Sequence, residues 1–252
     1  MSLTTVTDLK SIDVLILCGG LGKRLRSVTG ESPKAMAAIK EEPFLNILLK
    51  YLRDQGFRRV ILCTGFKADV IEEYYRTQDL GLEIVFSREE APLGTGGAVK
   101  NARRFVKSDP FLIVNGDCFC PLDYKVFVKF HRDEKALGSV VVAETENRGD
   151  FGSVLLDRSK RVAGFLEKTR EDLSGLAAKF KTGYVNAGVY CFDKVIFDRM
   201  PRKNVFSLEY DLFPGLIGWN FLGYIMEDRF LDIGTPERYQ EAQKLLAKRK
   251  AA

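Results

Sequence analysis

The stretch "LCGGLGKRLR", residues 17 to 26, places three glycines and three basic side chains directly after the apolar run "IDVLI". Glycine lets backbone N–H groups approach an anion closely, and Lys and Arg neutralise it, so this spacing suits the holding of a phosphate group. Two further glycine-rich segments follow, "PLGTGGA" at 92–98 and "NGD" at 115–117, and a second cation, Lys34, stands in "SPK". Two carboxylates, Asp117 after an apolar run and Asp232 in "FLDIG", lie more than a hundred residues apart. A Walker A loop is excluded, because Leu17 stands where its first glycine belongs and Arg24 where its Ser or Thr belongs. A dinucleotide fingerprint needs a glycine at the position of Leu25, and no ribose-binding acid follows in the expected context.

The elements that must position these residues alternate in type. "IDVLILC", "RRVILCTG", "LEIVFS" and "FLIVNGD" read as strands. Between them "PFLNILLKYLRDQG", "ADVIEEYYRT" and "GGAVKNARRFV" read as helices. Repeated strand–helix units predict an α/β fold, a Rossmann-like doubly wound and mostly parallel sheet with ligands at the carboxyl ends of its strands. From Gly138 the pattern changes to "GSVVVAE", "FGSVLLD", "RVAGFLEK" and "YVNAGVYCF", with "RSKR" as a hairpin turn, so the second half is mixed or antiparallel. "SLEYDLFPGLI" and "PERYQEAQKLLAKR" read as helices flanking a strand-like "FLGYIME". No repeat, low-complexity segment or linker interrupts the 252 residues, which are read as one domain whose first 11 residues form a flexible extension.

Composition narrows the function classes. No apolar run is long enough to span a bilayer, and "MSLTTVTDLKS" lacks the features of a secretion signal, so the expected location is cytoplasmic. Five scattered cysteines argue against a zinc site or a disulfide framework. A net charge of +5 suits an anionic substrate or a merely solvated surface. The one histidine, His131 in "FVKFHRDEK", is expected at the surface. The Asp-x-Asp motif of common metal-dependent glycosyltransferases is missing.

The order of motifs, "GGLGKRLRSVTGESPK", "PLGTGGA", "NGD", "FLEK", "NAGVY" and "FLDIGTPERY", resembles the sugar 1-phosphate nucleotidylyltransferases over nearly the whole chain. Within that family the D-glycero-D-manno-heptose 1-phosphate guanylyltransferases are the branch it most resembles, followed by the mannose 1-phosphate guanylyltransferases. Uridylyl-, cytidylyl- and thymidylyltransferases and catalytically silent regulatory relatives stand as alternatives. The resemblance implies that a sugar 1-phosphate attacks the α-phosphorus of a nucleoside triphosphate and expels pyrophosphate. The expected partners are therefore a nucleoside triphosphate, GTP by the nearest branch, and a sugar 1-phosphate. Nucleic acid and membrane are not expected, and a homo-oligomer is left open. Such a nucleophile is already an anion, so catalysis rests on gathering phosphates and neutralising charge.

By the same resemblance, Leu17, Gly19, Gly20 and Gly22 wrap the nucleotide, with Arg24 on the leaving phosphates and Lys34 near the reacting ones. Lys23, where the family usually has Thr, either adds a phosphate contact or faces solvent. Gly94, Thr95 and Gly96 approach the base, where Thr95 is alternatively a helix cap, and Gly116 lies beside the nucleotide. Asp117 and Asp232 are implied to share one Mg²⁺, an ion that takes few carboxylates and completes its shell with water and phosphate oxygens. Glu167, Lys168, Asn186 and Gly188 are implied to form the sugar phosphate pocket, and residues 169–183 are long and polar enough for a mobile flap above it.

Overall fold

The computed structural model describes residues 8–144, 152–166 and 181–249. Four parallel strands form its centre: β1 (Asp13–Leu17), β4 (Arg59–Thr64), β5 (Glu83–Arg88) and β6 (Phe111–Asn115), in the spatial order β5-β4-β1-β6. The near-continuous apolar character of β1, β4 and β6 follows from burial on both faces, whereas β5 is a half-exposed edge strand; Val14, Leu15, Ile16, Leu112 and Ile113 are no more than 1% exposed. Helices α2 (Phe44–Gln55), α3 (Ala68–Arg76) and α5 (Tyr124–Asp133) share a core with one face. Helix α4 (Gly94–Ala102) and the residues from Ile196 to Leu216 cover the other. This is the doubly wound sheet that the alternating pattern predicts.

Beyond β6 the sheet becomes mixed. Strand β11 (Lys181–Phe192) runs antiparallel to β6 through its second half and to β9 (Ser153–Leu156) through its first. On its opposite edge lies β8 (Gly138–Glu144), which pairs in parallel with β12 (Phe221–Met226). Strand β10 (Val162–Leu166) completes the expected hairpin with β9. Two small antiparallel pairs lie outside this sheet: β2 (Ala38–Ile39) with β3 (Glu42–Pro43), and β7 (Cys118–Phe119) with β13 (Leu231–Asp232). A four-residue helix, α1 (Arg26–Thr29), and the C-terminal α6 (Pro236–Arg249) complete the fold. None of the described helices is long and apolar enough to cross a membrane.

Several expectations need correction. His131 is 1% exposed, its Nδ1 lying 2.9 Å from Ser139 Oγ and its Nε2 3.1 Å from Asp193 Oδ1. It follows Tyr124, Phe127 and Val128 at helical spacing, on the stripe of α5 that faces the core. The predicted helix "SLEYDLFPGLI" is instead a π turn (Leu208–Leu212) running into a 3₁₀ turn (Phe213–Leu216) with Pro214 in its first turn, where Pro has no N–H to sustain a helical ladder. Of the residues 1–11 read as a flexible extension, 1–7 lie outside the described ones, while Leu9–Ser11 form a 3₁₀ turn capped by Asp8, with Leu9 2% exposed. Most of the 169–183 flap also lies outside the described residues, and its last three belong to β11.

A buried ion pair ties the start of β1 to its neighbours. Asp13, 3% exposed, accepts from Arg59 Nη1 at 2.7 Å and from the Ser108 N–H at 2.9 Å. Removing Asp13 leaves the Lys107 and Ser108 N–H groups without their acceptor and Arg59 with only the more exposed Glu83 as counter-ion. Asp13→Ala should therefore destabilise the fold by about 3–5 kcal/mol, read as a lower midpoint in urea unfolding; a loss below about 1 kcal/mol would show that the pair does not hold β1 in place.

Candidate active site

The carboxyl ends of β1, β4 and β6 open into a cleft of about 690 Å³ lined by Gly19, Gly20, Gly22, Phe66, Glu89, Gly94, Thr95 and Asp117, among others. A smaller hollow of about 250 Å³ shares part of that wall and is lined by Lys23, Arg24, Lys34, Gly116, Asp117 and Gly234. The predicted phosphate loop and the predicted metal carboxylate thus meet at the sheet position where parallel α/β folds bind ligands.

The loop owes its shape to specific backbone contacts. Gly19 O accepts from the Phe66 N–H at 2.9 Å, and Leu17 O from the Gly116 N–H at 2.9 Å, so β1 is tied to both flanking strand ends. Gly22 has φ +57°, and a Cβ there would lie 2.9 Å from Lys34 Cβ. Only glycine takes that left-handed turn without strain while leaving room for Lys34. Beyond it Lys23 and Arg24 are exposed, and neither has an ion-pair partner among the described residues.

Lys34 differs from them. Its side chain is 15% exposed and Nζ is paired with Asp117 Oδ2. Desolvation disfavours charge on Asp117, yet the Lys34 ammonium outweighs it and holds the carboxyl below the usual carboxylate range. Asp232 reaches this place through the β7–β13 pair, where it stands opposite Cys118, and the Ile233 N–H donates to Asp117 O at 3.0 Å. Both its carboxylate oxygens are engaged, one by the Gly234 N–H and one by Arg238 Nη1. Burial drives the Cys18 and Cys118 thiols beside these groups far up, which removes them as nucleophiles.

The third glycine segment opens α4 and is held from outside. Gly96 and Gly97 N–H both donate to Phe206 O, at 3.0 and 3.1 Å. Thr95 is not the cap, a position taken by Leu93; its hydroxyl donates to Glu209 Oε2 at 2.8 Å and accepts from the Leu208 N–H at 2.8 Å. Of this segment's groups, the Gly96 amide and the Thr95 hydroxyl are therefore spent on protein contacts. Glu89 is half-buried in the cleft wall and accepts from the Leu93 N–H; burial raises its carboxyl above the usual range.

Of the predicted sugar pocket, Asn186 and Gly188 are described, whereas Glu167 and Lys168 lie outside the described residues. The register of β11 shifts between Asn186 and Tyr190. Gly188, φ +76°, lies against Asn115, so close that a Cβ would approach Asn115 Nδ2 to 2.7 Å. Residues with no role in the sequence reading are Arg238, Glu89, Tyr190 and Glu209. Signals existed for Arg238, which follows Asp232 within the quoted "FLDIGTPERY", and for Tyr190, which closes the quoted "NAGVY".

Comparison with known proteins points one way. A family model described as "Nucleotidyl transferase" matches residues 13–249. The D-glycero-alpha-D-manno-heptose 1-phosphate guanylyltransferase of Aneurinibacillus thermoaerophilus is 38% identical over 236 residues, covering 93% of this chain and 98% of the relative. A mannose-1-phosphate guanylyltransferase of Mycobacterium tuberculosis is 34% identical over 232 residues, 90% of this chain and 62% of its own length. Among solved structures, HddC from Yersinia pseudotuberculosis complexed with GMP-PN superposes with a TM-score of 0.79 at 36% identity, covering 93% of this chain and 99% of that one.

Gly22 gives the direct test of the loop. A left-handed backbone costs a residue with a Cβ about 1–2 kcal/mol, before the Lys34 contact is counted. Gly22→Ala should therefore bind a non-hydrolysable nucleoside triphosphate at least about fivefold more weakly in calorimetric titration. Unchanged affinity would remove this turn from the binding surface.

Proposed function

The chain belongs to the nucleotidyl transferase family, and we propose that it joins GTP to D-glycero-D-manno-heptose 1-phosphate, forming the GDP-sugar and releasing pyrophosphate. The observation that carries this reading is the meeting of the Gly19–Gly22 loop, Lys34 and Asp117 on two adjoining hollows that share a wall, in a chain 38% identical over nearly its full length to an enzyme of that name. Mannose 1-phosphate is the second substrate to consider, supported by the match to the mannose-1-phosphate guanylyltransferase.

In this reading the backbone of residues 19–22 cradles the triphosphate, whose negative charge Lys23 and Arg24 approach from the open rim. A guanidinium grips two phosphate oxygens at once, which assigns Arg24 to the departing pyrophosphate. Lys34 stands deeper, where charge gathers on the α-phosphate during the displacement. No general base is required, and the one histidine is engaged by Ser139 and Asp193. Asp117 and Asp232 are hard oxygen donors that would hold Mg²⁺ through the lone pairs left by Lys34, Gly234 and Arg238, with water and phosphate completing its shell. When bound, such an ion supplies further neutralisation of phosphate charge. Asn186 and Gly188 are assigned to the sugar, and the family resemblance assigns Glu167 and Lys168 to the same pocket. The cytoplasm, with its supply of nucleoside triphosphates, is the compartment this reaction implies.

Pyrophosphate release measured across five nucleoside triphosphates and a panel of sugar 1-phosphates should be fastest with GTP and the manno-configured heptose. A preference for CTP or UTP would overturn the guanylyl assignment while leaving nucleotidylyl transfer in place.

The two ends of the site should separate in variants. A hydrogen bond to a charged group contributes about 1.5–3 kcal/mol, so Lys168→Ala should lower kcat/KM for the sugar phosphate about ten- to a hundredfold with little effect on nucleotide affinity. Arg24→Ala should weaken nucleotide binding and slow turnover. Equal loss of nucleotide affinity in both would place the sugar pocket elsewhere.

A further inference from the structure

A chain of hydrogen bonds runs from the bulge of β11 to the start of α4, and it has a fixed polarity. The Gly188 N–H donates to Asn186 Oδ1 at 3.0 Å, which assigns the other end of that amide as Nδ2. Asn186 Nδ2 then donates to the Tyr190 hydroxyl at 2.8 Å. Since that hydroxyl oxygen is accepting, its own proton must go elsewhere, and it points to Glu209 Oε1 at 3.2 Å. The second carboxylate oxygen accepts from Ser207 Oγ at 2.6 Å and from Thr95 Oγ1 at 2.8 Å. An ionised carboxylate can only accept, so Glu209 is the sink toward which all three hydroxyls turn. Tyr190 keeps its proton throughout, because burial and then the Glu209 charge push its pKa well above the usual tyrosine value.

We propose that Glu209 is a positioning residue, whose carboxylate sets the direction of the Tyr190 proton and so, together with the Gly188 N–H, holds the Asn186 amide in the orientation that meets the sugar. With the amide fixed, Asn186 retains one N–H and one lone pair with no partner among the described residues. That donor–acceptor couple matches adjacent sugar hydroxyls, each of which can give and take one hydrogen bond. The inference rests on the reading of Asn186 as part of the sugar pocket. Because the same carboxylate holds Thr95 at the first turn of α4, one anion braces both the nucleotide side and the sugar side of the cleft.

Steady-state kinetics with the sugar 1-phosphate varied at saturating GTP, alongside thermal unfolding, make the test. Tyr190→Phe keeps the ring but cuts the relay between Glu209 and Asn186. It should raise KM for the sugar 1-phosphate about tenfold, the worth of one substrate hydrogen bond, with KM for GTP within about twofold of the parent. Glu209→Gln keeps the shape but offers an N–H where only acceptors fit, and it should raise the sugar KM by a similar factor. The double variant should be no worse in that constant than the worse single variant, because both substitutions break one chain. Asn186→Ala serves as the reference and should raise the sugar KM at least as much. A raised sugar KM in Asn186→Ala with parental values in Tyr190→Phe and Glu209→Gln would overturn the relay alone. A parental value in Asn186→Ala would overturn the pocket reading and the relay with it. Losses in both KM values and kcat that track a fall in unfolding midpoint would show a purely structural brace and reject the proposal.

Discussion

Two ion pairs, Lys34 with Asp117 and Arg238 with Asp232, meet where the small β7–β13 strand pair forms, and the surrounding chain is arranged to bring their members together. Asp117 and Asp232 are brought together by a pair of two-residue strands and one backbone hydrogen bond, from Ile233 N–H to Asp117 O. Neither is left bare. Lys34 compensates the first and Arg238 the second, and these cations come from opposite ends of the chain. Much of the surrounding structure follows from delivering them. The turn at Lys34–Met36 ends in the small β2–β3 hairpin, and Arg238 lies in the first turn of α6. Leu25, Ile39, Phe44, Phe119, Ile233 and Leu246 then pack into a separate small core that clamps the phosphate loop, hairpin, strand pair and helix to one another. A core of this kind fixes geometry as well as adding stability, since close-packed side chains resist small displacements.

The cations divide into two groups by exposure. Lys34 is enclosed and paired, while Lys23 and Arg24 stand in solvent at the mouth of the hollow. Exposed charges attract an anionic ligand over roughly a Debye length and lose much of that effect as salt rises. An enclosed charge is screened less and acts at short range. The cleft therefore holds cations of two kinds at different depths, exposed ones whose reach depends on salt and an enclosed one that acts at short range.

Much of this architecture was legible in the sequence. Parallel strands buried on both faces appear as apolar runs, so β1, β4 and β6 and the glycines at their ends stood out, as did the amphipathic helices α2 and α3. That the segments of Asp117 and Asp232 lie together shows in no local pattern: a two-residue strand has no periodicity, and its register is set by tertiary packing. His131 was misread although its spacing from Tyr124, Phe127 and Val128 placed it on the buried stripe, because a polar residue type was weighed above its position. Glu209 was hidden for a different reason. "SLEYD" reads as an ordinary helical start, and the wider turn at Leu208–Leu212 that aims this carboxylate at Thr95 and Tyr190 depends on contacts more than a hundred residues away in sequence on the Thr95 side.

The placement of Thr95 shows why a motif and a contact must be kept apart. "LGTGG" suggests bare backbone and a hydroxyl offered to a base, yet the Thr95 hydroxyl is bonded to Glu209 and Leu208, and the Gly96 amide to Phe206 O. Those bonds fasten the first turn of α4 to the 206–209 segment. The motif thus specifies the position and rigidity of a wall of the cleft, and a ligand must be met by whatever that wall leaves free. Glu89 belongs to the same wall, held by the Leu93 N–H one residue before α4 begins. A rigid wall with few free polar groups discriminates among ligands more sharply than a mobile one with many, because a group left unpaired against it has no nearby alternative partner. Selectivity at this end of the cleft therefore depends on the residues that anchor the wall as much as on those that face the ligand.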